Sequence, residues 1–313
     1  MTRKFFLTLL AMLTLLVAGC QPKIPLVAMD SSYVDETPRI AVLSAFEPEF
    51  NAVLARAQVE QAFTYQDRLI YTAELGGQKV ILASSGVSMV NAAMTTQWII
   101  DHFNVSALII SGIAGGANPQ LQIGDVVVPA QWAQYQEQVF ARETEKGWDT
   151  AWYGQEQGNF EMMFPQPVEA HNAAGNQKIF WFQADPAMLE VARQAAKNVE
   201  LERCTLAVMC LDHELSVEVG GNGVSGSTFV NNKQYREWVW ENFNASAIDM
   251  ESAAVAQVAY SNEIPFIAFR SLSDLAGGEA GANQLPIFMK LAANNAAEMV
   301  ETFLQVQEPG PEY

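Results

Sequence analysis

The sequence predicts an α/β domain running from Pro38 to the C-terminus, with a largely buried sheet that carries helices on its faces. Short apolar, β-branched runs alternate with segments of helical period. No polar or proline-rich linker interrupts that alternation, so residues 38–313 read as one domain near the upper size of a single core. Half of all residues are hydrophobic and 17% are charged, which excludes a disordered chain. Lys and Arg number 17 against 35 Asp and Glu, and the formal net charge of −18 leaves no basic footprint for nucleic acid.

Residues 1–19 read as an export signal: Arg3-Lys4, an apolar stretch from Phe5 to Val17, then small residues. The apolar stretch is too short to span a bilayer, which needs about 20 residues of helix. Leu16-Val17-Ala18-Gly19-Cys20 resembles the lipobox of bacterial lipoproteins, which implies that Cys20 becomes the acylated first residue. An ordinary cleaved signal is the alternative. The lipid reading places the protein on the periplasmic face of a bacterial membrane, and Gln21 after the cysteine points to the outer one. Residues 20–37, with Pro22, Pro25, Ser31 and Ser32, form the tether.

The body opens with strand Arg39–Ser44 and helix Glu49–Ala57. Strands Leu69–Leu75 and Val80–Ser84 precede helix Ser88–Phe103, for which Ser88 offers the cap. Ala107–Ser111 and Asp125–Val128 follow as buried strands. The segment Trp132–Trp181 departs from the alternation and carries four of the seven tryptophans among polar residues, as an excursion or lid. Strand Ile179–Gln183 leads to helix Pro186–Asn198, with Asp185 as cap and Pro186 in the first turn. Strand Leu206–Leu211, helix Lys233–Asn242, strand Ser246–Met250, helix Ser252–Ser261, strand Phe266–Arg270 and helix Gln284–Gln305 complete the order.

With Cys20 acylated, Cys204 and Cys210 are the cysteines left, and in an oxidising compartment they can form a disulfide if the chain bends between them. Both states stay open. A metal site built from these cysteines and His213 lacks a fourth ligand at recognisable spacing, so no metal is expected. Gly221-Asn222-Gly223-Val224-Ser225-Gly226 fits a dinucleotide-binding pattern, but no helix opens at the third glycine. It reads instead as a tight turn where backbone approaches another element closely. Serine-hydrolase elbows, zinc-protease helices and phosphate-binding Walker loops are absent from the sequence.

Three carboxylates stand at the carboxyl ends of expected strands, the rim where α/β sheets gather their ligands. Glu49 follows the first strand, Glu251 ends Ile248-Asp249-Met250-Glu251, and Asp274 ends Phe269-Arg270-Ser271-Leu272-Ser273-Asp274. Taken singly, each has a plain structural role, as a helix-start carboxylate or a turn former. Together they suit glycosidic cleavage through an oxocarbenium-like transition state.

At these residues the chain resembles a known family. Arg39 to Phe50, Ser85-Gly86-Val87, Gly112-Ile113-Ala114-Gly115-Gly116, Ile123-Gly124-Asp125, Gly226-Ser227-Thr228-Phe229-Val230, Asp249-Met250-Glu251 and Arg270 to Asp274 are similar, in order and spacing, to the purine nucleoside phosphorylase and methylthioadenosine/S-adenosylhomocysteine nucleosidase superfamily. The resemblance covers nearly all of residues 38–305 and implies a single three-layer α/β/α domain with a central mixed, mostly parallel twisted sheet. It also implies a purine nucleoside substrate, no cofactor and a homodimer. On that resemblance Asp274 is the general acid at purine N7, Glu251 binds the ribose hydroxyls and Met250 lies against the sugar. Phe229 stacks on the base, the Val230 backbone reads its edge, Ser273 orients Asp274, and Glu49 with Arg270 holds and activates water.

Hydrolysis is favoured over phosphorolysis, because the first loop offers Glu47 and Glu49 where a phosphate dianion needs cations. Phosphorolysis, with phosphate as partner, is the alternative, and a noncatalytic nucleoside-binding or storage lipoprotein is the second. Two positions depart from the family pattern. Ile113 stands where the nucleosidases often carry serine or threonine, and Asp249 replaces a glutamate.

Overall fold

The computed structural model describes residues 26–28, 35–65, 68–205 and 209–307. The expected signal peptide, residues 1–19, and the expected lipidation site Cys20 lie outside the described residues. In chain order, β1 (Leu26–Ala28), β2 (Asp35–Ser44), α1 (Glu47–Leu54), β3 (Gln58–Tyr65), β4 (Arg68–Leu75), β5 (Gln78–Ser84), α2 (Met89–His102) and β6 (Phe103–Gly116) form the first half. Then come β7 (Val126–Val128), β8 (Gln131–Ala133), β9 (Gln138–Phe140), β10 (Arg142–Thr144), β11 (Gly147–Asp149), β12 (Met163–Pro165), β13 (Val168–Asn172), β14 (Gly175–Ile179) and β15 (Phe182–Gln183). The remainder is α3 (Pro186–Ala195), β16 (Cys204–Thr205), β17 (Met209–Cys210), β18 (Val217–Val219), β19 (Asn222–Ser225), α4 (Lys233–Phe243), β20 (Ala245–Asp249), α5 (Ser252–Asn262), β21 (Phe266–Asp274) and α6 (Leu285–Val306).

Thirteen of these strands make one mixed sheet in the order β1-β3-β4-β5-β2-β6-β20-β19-β8-β15, with β21, β7 and β18 branching from β6. The branch exists because β6 is long enough to serve three neighbours. Its middle pairs in parallel with β2 and β21, while Gly115 and Gly116 pair antiparallel with Ile248 and Ala247 of β20. Alternate side chains of the central strands enter opposite cores, as a two-residue period requires. Leu43, Ile81 and Ile110 pack with α2 and α5, whereas Val42, Leu82 and Ile109 pack with α1, α3 and α6. These layers carry the three-layer architecture expected from the sequence.

Local chemistry explains two of the helix starts directly. Asp185 caps α3 by accepting the Met188 N–H, with Pro186 in the first turn, and Asn232 caps α4 by accepting the Tyr235 N–H. Ser88 is different: it precedes α2 at φ +80° and its side chain makes no cap hydrogen bond. The expected cap is therefore corrected; the N–H of Ser88 is used elsewhere.

Other expectations change as well. Within the segment assigned to a tether, β1 pairs in parallel with β3, and residues 35–37 begin β2. The apolar Leu26-Val27-Ala28 run completes the hydrogen bonds of an otherwise open edge. The expected strand Leu206–Leu211 is instead a hairpin, in which Cys204 faces Cys210 and the two form a disulfide. The glycine-rich stretch does approach another element closely, since a Cβ on Gly223 would enter the Trp132 ring, yet Asn222–Ser225 is itself a strand between β20 and β8. The Trp132–Trp181 segment is an excursion and not a lid. Its inner aromatics, Phe160, Phe180 and Trp181, pack on Tyr235, Trp238 and Phe243 of α4.

Candidate active site

Four strands deliver their carboxyl ends to one rim. β2 ends at Ser44 and turns directly into α1, so Glu49 sits in the first helical turn. Its Oε2 accepts the Ala45 N–H at 2.6 Å and its Oε1 accepts the Ile113 N–H at 2.8 Å. The carboxylate thus closes the turn before the helix and clips α1 to β6. Ile113 makes this contact through its backbone, so the departure from a hydroxyl residue leaves the clip intact.

Beneath Glu49 lies Arg270 of β21, which has no exposed surface. Its Nη1 is 3.6 Å from Glu49 Oε1, its Nη2 is 3.3 Å from Glu251 Oε2, and its Nε is 2.7 Å from Asp249 Oδ2. Nε also donates to Ser252 Oγ at 3.1 Å, and Nη1 donates to the Ile113 carbonyl at 3.3 Å. A planar guanidinium is suited to such a fork of partners. The pair with Glu49 requires glycine at 112, because a Cβ there would overlap both the Arg270 guanidinium and the Glu49 carboxylate.

Asp249 holds the next layer. It accepts the Ser225 and Ser252 hydroxyls, and the Glu251 N–H at 3.3 Å, which seats the first turn of α5. Glu251 Oε1 accepts the Ser88 N–H at 2.8 Å, so the left-handed serine before α2 is tied to this carboxylate.

Asp274 ends β21 through a register shift. Leu272 pairs with Ala114 and Asp274 with Gly115, which leaves Ser273 as the extra residue. A bulge of this kind re-aims side chains, and here the consecutive Ser273 and Asp274 line the same cavity. Asp274 Oδ2 accepts Ser273 Oγ at 2.9 Å, and Oδ1 accepts the Ala276 N–H at 2.9 Å and Asn283 Nδ2 at 3.2 Å.

A cavity of about 230 Å³ joins these groups. Glu49, Asp249, Glu251 and Asp274 face it, with Ile113, Met250, Ser273 and Phe229. A narrower recess of about 30 Å³ continues between Asp274, Phe229 and Val230. Phe229 is about half exposed at the opening. Arg270 does not line either space. It was expected to hold water with Glu49; here its described partners are the three carboxylates, the Ser252 hydroxyl and the Ile113 carbonyl, and it lies beneath the cavity floor. A larger hollow, at hairpin β10–β11, is lined by Thr144, Trp148 and Gln155 and lies apart from the strand ends.

Burial governs the protonation of these acids. It pushes Glu49 up to about 7, against the pull of Arg270 and with a further rise from the charge of Glu251. Burial likewise raises Glu251, opposed by Arg270 and assisted by Asp249. Burial alone would lower Arg270, but Asp249, Glu251 and Glu49 carry it higher still. Asp274 is raised by burial, against the hydrogen bonds from Ala276, Ser273 and Asn283. The site therefore holds one acid poised to ionise near neutrality and another biased toward its protonated form.

Every substrate-site residue expected from the sequence borders these spaces, while Asp249, Phe46, Leu285 and Met289 join them without having been assigned. Asp249 had a signal, since a charge at the end of a wholly buried strand demands a partner. The apolar residues of α6 had none.

The chain matches the family model described as the phosphorylase superfamily over residues 39–305. It is 27% identical over 268 residues to the 5'-methylthioadenosine/S-adenosylhomocysteine nucleosidase of Tolumonas auensis, covering 85% of this chain and 99% of that protein. The Geobacillus kaustophilus nucleosidase of the same name is 28% identical over 271 residues, covering 86% and 98%. Among solved structures, the Neisseria meningitidis nucleosidase in complex with methylthio-immucillin-A superposes with a TM-score of 0.64 at 28% identity, covering 85% of this chain and 98% of that one. With the match spanning the strand ends, the cavity and all its acids, the chain belongs to the phosphorylase superfamily.

Proposed function

We propose that this protein hydrolyses the N-glycosidic bond of a purine nucleoside that is adenosine-like or 5'-alkylthio-substituted, such as methylthioadenosine or S-adenosylhomocysteine. The observation that carries the reading is the convergence of Glu49, Glu251 and Asp274 on one cavity above a buried arginine. Nucleosidase relatives that match this chain over nearly their whole length support the choice of reaction.

In this reading the base lies against Phe229 and the Val230 backbone, and the sugar lies against Met250 with its hydroxyls on Glu251. As the bond from C1' to N9 breaks, its electron pair leaves with the base, and N7 takes the Asp274 proton. Water bonds to C1' from the side of Glu49, which accepts the water's proton. Solvent exchange then returns both acids to their starting forms. The wall beyond the sugar, formed by Phe46, Ile113, Leu285 and Met289, suits an apolar 5' substituent.

Phosphorolysis fits less well. A phosphate dianion in this cavity would face four acidic side chains, and the guanidinium beneath them is already surrounded. Two like charges at 4 Å repel by about 4 kcal/mol at the effective dielectric of such sites. The test is a panel of adenosine, inosine, methylthioadenosine and S-adenosylhomocysteine, assayed for free base with and without phosphate. Base release in phosphate-free buffer supports hydrolysis; release only with phosphate, accompanied by a sugar 1-phosphate, overturns it.

The same reading includes location and assembly. The export signal, the lipobox-like Cys20 and a disulfide that persists in oxidising surroundings support a lipid-anchored protein on the periplasmic side, in the outer membrane. Release of a Cys20→Ala variant into the soluble fraction checks the anchor. Exposed Val90 and Met94 on α2, beside Val87 at the cavity, support a homodimer through that face. Sedimentation of a Met94→Glu variant as a monomer checks it.

A further inference from the structure

Asp274 receives its hydrogen bonds from two directions, and the two oxygens are not equivalent. Ala276 adopts a left-handed φ of +52°, which aims its N–H at Oδ1. Asn283, just before α6, donates to the same oxygen through Nδ2. The orientation of that amide is fixed independently, because its own Oδ1 accepts the Leu285 N–H at 2.9 Å. Its nitrogen also reaches Asn231 Oδ1 at 3.3 Å.

A carboxyl oxygen that accepts two N–H groups has no lone pair left for a proton. Oδ2 has a single hydrogen-bond donor among the described residues, the Ser273 hydroxyl. That hydroxyl has a second acceptor within reach, the Ala114 carbonyl at 3.4 Å. Turning to Ala114 converts Ser273 from a donor toward Oδ2 into an acceptor for a proton carried there.

We propose that Asn283 is a positioning residue for the general acid: together with the Ala276 N–H, it confines the proton of Asp274 to Oδ2 and holds the carboxyl group for delivery to the purine. The inference rests on the hydrolytic reading above. A purely structural role, starting α6 through Leu285, is the competing account.

The two accounts differ in what they predict for acidity. The charged groups around Asp274 are Glu279 on its own loop, Arg236 of α4 behind Gly278, and, around the cavity and its floor, Glu49, Asp249 and Glu251 with Arg270. Glu279 is held by the Leu275 and Gly277 N–H groups, and its charge disfavours ionisation of Asp274. The Asn283 hydrogen bond acts the other way. Losing it pushes Asp274 further up, so an acid that must carry its proton stays competent to higher pH. The rate nevertheless falls, because the proton is no longer confined to one oxygen.

The experiment compares Asn283→Ser and Asn283→Asp with the wild type in base release from pH 5 to pH 10. Serine keeps an acceptor for the Leu285 N–H but is too short to reach Asp274, whereas aspartate replaces the donor with a second carboxylate. The expected result is a fall in kcat of about tenfold with KM within about twofold. The alkaline limb is expected to move up by about half a pH unit for serine and about one for aspartate. A limb that stays in place in both variants, whatever the rate, overturns the inference. Carbon-13 NMR titration of the Asp274 carboxyl, assigned with Asp274→Asn, reads the same upward shift without turnover. If the wild type releases no base, the hydrolytic reading fails on its own, and the titration still decides Asn283: an upward shift upholds its contact with the acid, and none overturns it.

Discussion

Around the cavity, Glu49, Asp249, Glu251, Arg270 and Asp274 are all buried, whereas the hairpins between β8 and β15 leave Phe140, Trp148, Trp152 and Tyr153 in solvent. The rim buries charge, and buried charge is tolerated only when each group is compensated by others. Arg270 accordingly touches three carboxylates, and each carboxylate is held by at least one further donor. The excursion buries aromatic rings on its inner side and leaves the outer ones without such ties. Four tryptophans make it the more conspicuous stretch of sequence, but it contributes no residue from 138 to 179 to the cavity. Conspicuous composition and chemical consequence are separate properties of this chain.

The sharpest contrast is expected at Asp274. Asp274→Asn should lower kcat by roughly 10²- to 10⁴-fold while sparing much of the ground-state affinity, since the acid acts as the bond breaks. Equilibrium binding of a substrate analogue beside steady-state rates checks it, and near-normal turnover would remove Asp274 from its role.

Glu49→Gln should remove the base and, with it, the rise of activity through about pH 7. The same substitution carries a stability signature. Glu49 keeps its proton to about 7 when folded but only to its ordinary 4.5 when unfolded. The folded state therefore binds more protons in that window, and stability falls as pH rises from about 4.5 to about 7. Thermal unfolding at pH 5 and pH 8 should show a drop in the wild type that is smaller in the variant; equal drops would place the raised acid elsewhere.

A smaller effect belongs to Gly112→Ala, whose new methyl group displaces both Glu49 and Arg270. A loss of about 1–3 kcal/mol is expected from such overpacking, together with reduced activity. Denaturant unfolding measures it, and an unperturbed variant would mean the ion pair is less constrained than its geometry. At the other end, Trp152→Ala on the exposed hairpin surface should change stability by less than about 0.5 kcal/mol and leave kcat alone. A marked loss of activity there would erase the distinction between the two regions.

How far the sequence carried this picture follows the same division. The central strands and the α6 helix were legible because burial on two faces, or on one helical stripe, writes a period into the chain. Glu49, Glu251 and Asp274 were legible because they follow such strands directly. Arg270 was readable as a partner of the site but not as its buried hub, since its depth depends on how β6 and β21 pair. β8, β18 and β19 are too short to show a period, and β19 hides among glycines. Asn283 and Met289 reach the site only through the path of the loop before α6, which no local pattern announces.

The bond from the Ser88 amide to Glu251 spans 163 residues of sequence and fastens the start of α2 to the carboxylate assigned to the sugar. Val87 is part of the cavity wall, and Val90 and Met94 stand about one and two turns further on, in solvent. The cavity carboxylate and the exposed face of α2 are thus separated by a single backbone hydrogen bond and one helical turn. That one hydrogen bond makes the helix start and the cavity carboxylate neighbours in space, although the chain between them runs through most of the sheet.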